Sequence, residues 1–543
     1  MIEYISYATV IQSYKFDLLE GSIKIEKPKL VYYNDARHYL MYRFDPPLSK
    51  STLERPVDEL LGTGVDTLAY GLASGQTFLH DTKVGTRWGE LVTEHNHGIM
   101  WWRAAKSLET AISEGLDPLS IIIERAHSKG IRVIPSLRIN DPATGEGPNA
   151  NTYFFSKFKR DNPHVLIGGE GYPDKPSAST CLNFALKEVR EERLSIIKEV
   201  CEDYRADGIE IDDYVRVFFE HSEIEKNTPV LTEFIREVRN LLDKIGQKQG
   251  RELILSCRAN NSENDNLSVG MDVKTWVNEK LINAIILTDD SWQLNSHPNF
   301  EWISNACKDN DVWIYPHLGR VPVDDRYHHA TIEMYRATAS NSINEGADGM
   351  YLSDLSWPFG HNQYQVLREL GDADIYKNKS KHYLLPIKLD TDDISTKEQL
   401  PIILKENTPE TFQIKVSDDI EFGIETNSIS DIQLRIRVVQ TGLEDRIEYK
   451  FNKKSISPEI NRTETFYGGL RSSEAVRSGM AQRINTHYWF EFEIPINLVN
   501  TGENTIEVCL SHKLSNRVED RVLESAELII NYYDAPTKFG GQM

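Results

Sequence analysis

Short apolar runs rich in β-branched residues alternate with amphipathic stretches of helical period over most of the chain. The alternation begins near Lys29 and ends near Leu385. Eight successive strand–helix units are typical of a closed parallel (β/α)8 TIM barrel, an α/β fold, and predict one over residues 28–384. The eight predicted strands are 30–34, 65–70, 130–136, 207–212, 252–257, 282–287, 311–315 and 347–352.

The pattern changes beyond about Leu385. Alternating or continuously apolar runs at 412–416, 432–438, 489–494 and 528–533 are separated by turn residues. They predict an antiparallel β-sandwich domain over 385–543. The Trp489 run is dense enough in aromatic residues to predict core packing there. The first 27 residues also alternate and predict an N-terminal β extension.

The charge balance narrows the choice of partners. Acidic residues number 83 against 61 basic ones, which gives a formal charge of −22. This balance predicts no nucleic-acid partner, because nucleic acids need a basic surface. No apolar stretch is long enough to predict a membrane span. The amino terminus has no signal-peptide pattern, so we expect a cytoplasmic protein, or a periplasmic or secreted one if a signal preceded this numbering.

Cofactor and metal signals are weak. The five cysteines lack paired spacing, and no glycine-rich dinucleotide fingerprint follows the first strand. His95 and His97 have a spacing seen in metal sites, but no third ligand is apparent. We therefore expect neither a cofactor nor a catalytic metal.

The strongest chemical signal lies on the fourth predicted strand. With a period of two, Glu210, Asp212 and Tyr214 face the barrel axis while the isoleucines between them face the helices. Acidic side chains inside a barrel are costly unless they are paired or used. Asp212, at the strand tip, is the leading catalytic candidate. The alternative is a buried ion pair of Asp212 with Arg138 or Arg258, and Glu210 either orients the site or pairs structurally.

Polar and aromatic residues recur at the other strand ends, the face where barrel active sites lie. The connections after the second and third strands are also unusually long, which favours binding loops. The further predicted site residues are Asn34, Asp35, Arg138, Asn140, Asp141, Arg258, Asn260, Asp289, His317, Arg320, Asp354 and Trp357, with Trp101, Trp102 and Trp292 as further candidate sugar-stacking rings.

Together these segments resemble the family 10-like glycoside hydrolase group. The resemblance covers nearly the whole barrel and includes Asn34-Asp35 and the runs at 43–47, 137–141, 207–212, 267–276 and 346–352. It implies glycan processing at the carboxyl-end face and an accessory sandwich. The chain departs from the retaining glycosidase pattern, because the segment 315–320 at the seventh strand, which includes His317 and Arg320, has no carboxylate where a nucleophilic Glu is expected. The fourth strand is also similar to the family 18 chitinase signature, whose catalytic Glu would fall on Tyr214.

These residues leave three hypotheses open. In a glycoside hydrolase, Asp212 is the general acid or base, and Asp141, Asp289 or Asp354 supplies the second carboxyl group. In a lyase or dehydratase acting on uronate-containing oligosaccharides, Tyr214 or His317 is the base, and Arg138, Arg258 and Arg320 hold the substrate carboxylate. The third hypothesis is a non-catalytic carbohydrate-binding protein. The expected partner is an oligosaccharide, neutral or anionic, and the sandwich binds glycan, braces the barrel or mediates homo-oligomerisation.

Overall fold

The computed structural model describes most of the chain from residue 25 onward. The described residues are 25–37, 39–74, 76–95, 98–142, 151–173, 175–212, 217–288, 294–319, 329–353, 355–385, 399–442, 444–467, 484–516 and 518–533. Most of the predicted N-terminal β extension lies outside them. So do the predicted residues Tyr214, Asp289, Arg320 and Asp354 and the candidates His97 and Trp292. The described helices include none that is both long and apolar enough to cross a bilayer.

Eight parallel strands close into a barrel, as the sequence predicts. The strands are β1 Leu30–Asn34, β2 Thr67–Gly71, β3 Arg132–Arg138, β4 Gly208–Asp212, β5 Ile254–Asn260, β6 Ala284–Thr288, β7 Trp313–Leu318 and β8 Met350–Ser353. Going round the barrel, the order is β1, β8, β7, β6, β5, β4, β3 and β2. Val31 of β1 pairs with both Tyr351 of β8 and Thr67 of β2, which closes the barrel.

Most strands begin about two residues later than predicted, and several continue further. The apolar run marks only the part of each strand that packs against the helices, whereas the ladder continues into polar residues. Thus Arg138 pairs with Asp212, Arg258 with Ile286, and His317 with Tyr351. Several polar residues that were predicted to follow the strands are therefore part of the strands themselves.

Helices surround the strands and bury the main core between the two layers. The longest, Ile224–Gln249, follows β4 and ends at Gly250 in the left-handed conformation. The helices of the barrel region are Lys50–Leu53, Arg55–Asp58, Ile99–Ser113, Pro118–Ser128, Lys157–Asp161, Gly168–Gly171, Lys187–Lys198, Ile224–Gln249, Glu263–Ser268, Val273–Asn278, Ser304–Asn310, Ile332–Asn344, His361–Glu369 and Ala373–Tyr376, with π-helical turns at Tyr39–Arg43 and Glu199–Asp203 and short 3-10 turns at Pro163–Val165, Pro176–Thr180 and His221–Glu223.

The barrel interior has an apolar floor. Inward side chains such as Val31, Ile134, Ile254 and Trp313 form a separate buried cluster on the axis. The polar inward side chains lie on the carboxyl-end side of this apolar cluster.

Two antiparallel sheets form the C-terminal sandwich. The elements of the sandwich are β9 Lys381–Leu384, β10 Ile402–Leu404, β11 Pro409–Val416, β12 Ile429–Val439, β13 Arg446–Phe451, β14 Lys454–Ile456, β15 Ile460–Tyr467, β16 Ile484–Glu493, β17 Gly502–His512 and β18 Arg521–Tyr532, with the helix Ile420–Glu425 and a 3-10 turn at Ile496–Leu498. The first sheet has the order β9-β18-β12-β16-β15, with β10 also paired to β18, and the second has the order β11-β17-β13-β14. Trp489 is fully buried, as predicted. The first sandwich strand, β9, thus precedes residue 385.

The helix Ile332–Asn344 joins the barrel to the sandwich. Ala337 belongs to the buried core of the sandwich. Asn341 is fully buried and donates from Nδ2 to the carbonyl oxygens of Ser296 (2.6 Å) and Lys415 (3.0 Å). His297 Nε2 accepts a hydrogen bond from the Lys415 backbone N–H at 3.1 Å. Barrel and sandwich therefore share a polar interface as well as an apolar one.

Candidate active site on the barrel axis

Strand β4 delivers two carboxyl groups to the barrel interior. Ile209 and Ile211 point outward into the main core, so Glu210 and Asp212 point inward, as the period of two predicts. Each acid is only 1% exposed. Gly208 begins the strand in close contact with β5, since a Cβ there would lie 2.0 Å from the Ile254 carbonyl oxygen. This contact fixes the height of both acids on the axis.

One carboxylate oxygen of Glu210 is held by three donors. Its Oε1 accepts hydrogen bonds from Ser136 Oγ (2.7 Å), Arg258 Nε (3.0 Å) and Tyr351 OH (3.0 Å). Burial raises the pKa of Glu210 above its ordinary value, and the charge of Arg258 opposes that shift. A buried carboxyl group whose Oε1 accepts three hydrogen bonds is suited to positioning its neighbours.

Asp212 differs sharply from Glu210, although only one residue separates them. Neither of its carboxylate oxygens has a hydrogen-bond partner among the described residues. Its nearest cations are Arg258 Nη1 at 3.6 Å and Arg138 Nε at 3.9 Å from Oδ2, distances of ion pairing rather than hydrogen bonding. Asp212 is therefore a buried carboxylate whose charge is compensated but whose oxygens receive no hydrogen bond from the described residues, which is uncommon for a buried polar group.

Two arginines surround these acids and are themselves anchored. Arg258 also donates from Nη2 to Tyr351 OH at 2.6 Å, and its guanidinium carbon lies 4.5 Å from the centre of the Tyr33 ring. Arg138 Nη1 donates to Asp141 Oδ2 at 3.2 Å. Despite their burial, the neighbouring acidic groups raise the pKa of Arg138 and Arg258, so both stay charged. The predicted pairing of Asp212 with these arginines is thus present as longer ion pairs.

His317 lies between two hydroxyl groups on the opposite side of the barrel. Its Nε2 is 2.6 Å from Ser353 Oγ, and its Nδ1 is 3.2 Å from Thr288 Oγ1. Its ring lies 5.8 Å from that of Tyr351, which contacts Glu210 and Arg258. Because hydroxyl groups both donate and accept, these contacts are compatible with a proton on either ring nitrogen.

Trp357 is an exposed aromatic residue of this face. The residue is 40% exposed, and its ring contacts Arg43, whose guanidinium carbon lies 3.4 Å from the ring centre. Trp357 Nε1 donates to Glu59 Oε1 at 3.2 Å, and Glu59 also binds Arg43. Tyr39 covers the other side of Arg43 at 4.1 Å. The indole is therefore fixed while much of it faces solvent.

Other predicted site residues have local structural contacts. Asn34 caps the turn after β1 by accepting from Ala36 N, and Asp35 binds Arg37. Asn140 ties two loops together, accepting from Leu182 N and donating to the carbonyl oxygens of Leu182 and Val217. The backbone N–H of Asn260 donates to Asn266 at 2.8 Å.

Sequence reasoning missed several residues of the axis cluster. Tyr33, Ser136, Thr288 and Tyr351 lie within the predicted strands or directly after them. Their inward position could have been read from the alternation that identified Glu210. In the described part of the chain, no three His, Cys, Asp or Glu residues are grouped to hold a metal.

No protein-family model matches the chain, and no curated protein sequence matches it. Among solved structures, it is similar to a Paenibacillus cycloisomaltooligosaccharide glucanotransferase (12% identity, TM-score 0.30, 92% of this chain and 57% of that one). It is also similar to an α-L-fucosidase from Paenibacillus thiaminolyticus (11%, 0.39, 64% and 49%) and a maltogenic α-amylase from Thermotoga neapolitana (10%, 0.37, 88% and 98%). The chain thus spans about half the length of the first two. At these values the similarity carries no argument about activity.

Proposed function

We propose that this chain is a glycoside hydrolase with Asp212 as its essential carboxylate. The observation that carries the proposal is the state of Asp212, which is buried, charge-compensated and without a hydrogen-bond partner among the described residues. Such a group costs free energy in the resting protein, and a ligand that binds it recovers that cost. Glu210 and the two arginines act as positioning residues around it.

The charge of the axis cluster supports this choice. Three carboxyl groups, of Glu210, Asp212 and Asp141, face two guanidinium groups, of Arg138 and Arg258. Glycoside hydrolysis passes through a transition state with positive charge on the sugar ring. A carboxylate that retains open lone pairs beside this cluster stabilises that charge.

Trp357 supplies a surface for the sugar outside the axis cluster. Pyranose rings pack a C–H face on aromatic rings, and Trp357 presents a partly exposed indole whose tilt is fixed by Arg43 and Glu59. In this proposal an oligosaccharide runs from the axis toward Trp357. The second carboxyl group of the reaction is Asp141, or Asp289 or Asp354 from outside the described residues.

The experiment is incubation of the full chain with neutral and uronic-acid oligosaccharides while product mass and absorbance are followed together. Hydrolysis gives fragments that together carry one added water and no new absorbance. Asp212→Asn keeps the shape of the side chain and removes its charge, so we expect turnover to fall at least about a hundredfold.

The matched control is Asp243→Asn, an exposed acid on the helix Ile224–Gln249 that pairs with Arg239. It should leave turnover unchanged. Azide added to Asp212→Ala should restore part of the turnover if the carboxylate attacks or activates the nucleophile. Near-normal activity of Asp212→Asn, with an unchanged melting temperature, would remove this residue from the mechanism.

Elimination on a uronate is the second candidate. It is favoured by His317 on β7, whose ring nitrogens contact the hydroxyl groups of Ser353 and Thr288, which are able to relay a proton. Against it, Arg138 and Arg258 already pair with the protein's own acids. Absorbance in the unsaturated-uronate band, lost in His317→Gln but retained in Asp212→Asn, would establish elimination in place of hydrolysis.

A further inference from the structure

A groove lies outside the axis cluster, on the connection that follows β2. Its volume is about 480 Å³, within the range of small-ligand sites. One wall is the helix Ile99–Ser113, from which Trp102, Lys106, Glu109 and Ser113 line it at a spacing that places them on one face. The distance from Trp102 to Ser113 along the helix is about 16 Å at about 1.5 Å per residue. The groove is therefore elongated.

The opposite wall is the segment 87–95, and it is fixed from behind. Trp88 stacks on Tyr153 with ring centres 5.2 Å apart and meets Phe154 edge-on. Gly89, with a φ of +82°, touches the helix so closely that a Cβ there would lie 2.5 Å from Ala105 Cβ. This wall is therefore held in place by close apolar packing.

Four charged side chains at the rim of the groove form two pairs of opposite charge. Lys106 Nζ donates to Glu109 Oε2 at 2.8 Å, and Arg87 Nε lies 3.6 Å from Glu90 Oε2. His95 adds a ring nitrogen 2.6 Å from Tyr153 OH. The rim therefore offers many donors and acceptors with no net charge from these pairs, whereas an anionic ligand requires an excess of cations.

We propose that this groove binds a neutral oligosaccharide. Trp102, which is partly exposed, supplies an indole face for the C–H side of a pyranose, and the paired charges supply partners for its hydroxyl groups. An amphipathic peptide helix fits less well, since it needs a continuous apolar surface and four charged side chains border this one. Asp212 does not line this groove. The proposed binding in the groove and the proposed hydrolysis at Asp212 can therefore be tested independently.

The test is calorimetric titration of the full chain with four neutral probes: maltohexaose, cellohexaose, xylohexaose and chitohexaose. We expect at least one to bind, and Trp102→Ala to weaken that binding at least about tenfold through loss of the stacked face. Trp102→Phe should retain part of the affinity. Met100→Ala, an exposed apolar residue on the same helix that does not line the groove, is the matched control and should bind normally.

Glu109→Trp is a second test variant. Its larger side chain should fill the groove, and because position 109 is exposed we expect the fold to tolerate it. It should also weaken binding at least about tenfold, whereas Asp212→Asn should leave groove binding intact. Failure of all four probes to bind would overturn the proposal. So would binding that survives both groove variants or disappears in Asp212→Asn.

Discussion

At the scale of single residues, Glu210 and Asp212 are both buried acids on one face of one strand, yet their surroundings differ. The partners of Glu210 come from β3, β5 and β8, and Ser136 and Tyr351 are 74 and 141 residues away in sequence. Alternation along β4 predicts that both acids face inward. It does not predict that Glu210 receives three hydrogen bonds while Asp212 receives none from the described residues, because that depends on barrel register.

Arg258 gives a prediction at this scale, because it compensates both acids. Arg258→Ala leaves two buried carboxyl groups without their common cation, at a cost of about 3–5 kcal/mol near neutral pH. In the variant the folded-state pKa of Glu210 rises further above its unfolded value. The protonated Glu210 carboxyl group then contributes fully to the stability of the folded variant below the unfolded pKa. This contribution is lost as pH rises through the folded pKa.

The melting temperature of Arg258→Ala should therefore lie below that of the wild type by an amount that grows from about pH 4.5 to pH 8. Arg251→Ala is the matched control, since Arg251 pairs with Asp207 near the start of β4. An equal deficit at both pH values would contradict the compensating role of Arg258.

At the scale of elements, the apolar pattern of the sequence predicts where the barrel strands are but not where they end. Apolar runs located all eight barrel strands, because each must pack against a helix. Their ends were misplaced by a few residues, since Arg138, Arg258 and His317 are polar and still belong to the ladder. The closed β1–β8 pairing confirms the barrel, but no local pattern encodes it. It follows from strand number and tilt.

Gly208 gives the prediction at this scale. A methyl group at this position would lie 2.0 Å from the Ile254 carbonyl oxygen, so Gly208→Ala must separate β4 from β5. Overpacking against backbone costs about 1–3 kcal/mol or more, and it moves both axis acids. We expect a lower melting temperature and reduced turnover. Gly169→Ala, with nothing within 4 Å of the new carbon, should change neither. Normal melting of Gly208→Ala would show that the strands yield more easily than this contact implies.

At the scale of the whole molecule, the sandwich is attached to the barrel through buried polar contacts. The sequence predicted two folding units because the hydrophobic period changes, but not their interface. Asn341 and His297 are unremarkable in sequence, and their partners lie more than 40 residues away. The alternation that locates strands carries no information about which helix face meets the sandwich.

His297 makes this interface sensitive to acid. Burial lowers the pKa of His297 to about 4, and its Nε2 accepts from Lys415 N–H only while it is unprotonated. Since the unfolded pKa is about 6.5, this stability is present above that pH and is lost as pH falls through the folded value. His297→Gln, which retains an acceptor, should reduce the fall in melting temperature between pH 6.5 and pH 4. His164→Gln, at an exposed histidine, should not.

The pairing of β9 with β18 also has a consequence in time. About 145 residues separate the two strands in sequence. At a synthesis rate of about 5–20 residues per second, β18 follows β9 off the ribosome by roughly 7–30 seconds. During that interval the barrel strands have all been made, while Tyr383 and the sandwich-facing side of the helix Ile332–Asn344 lack their cover. A nascent chain halted between β9 and β18 should therefore present this surface to chaperones, and one released after β18 should not.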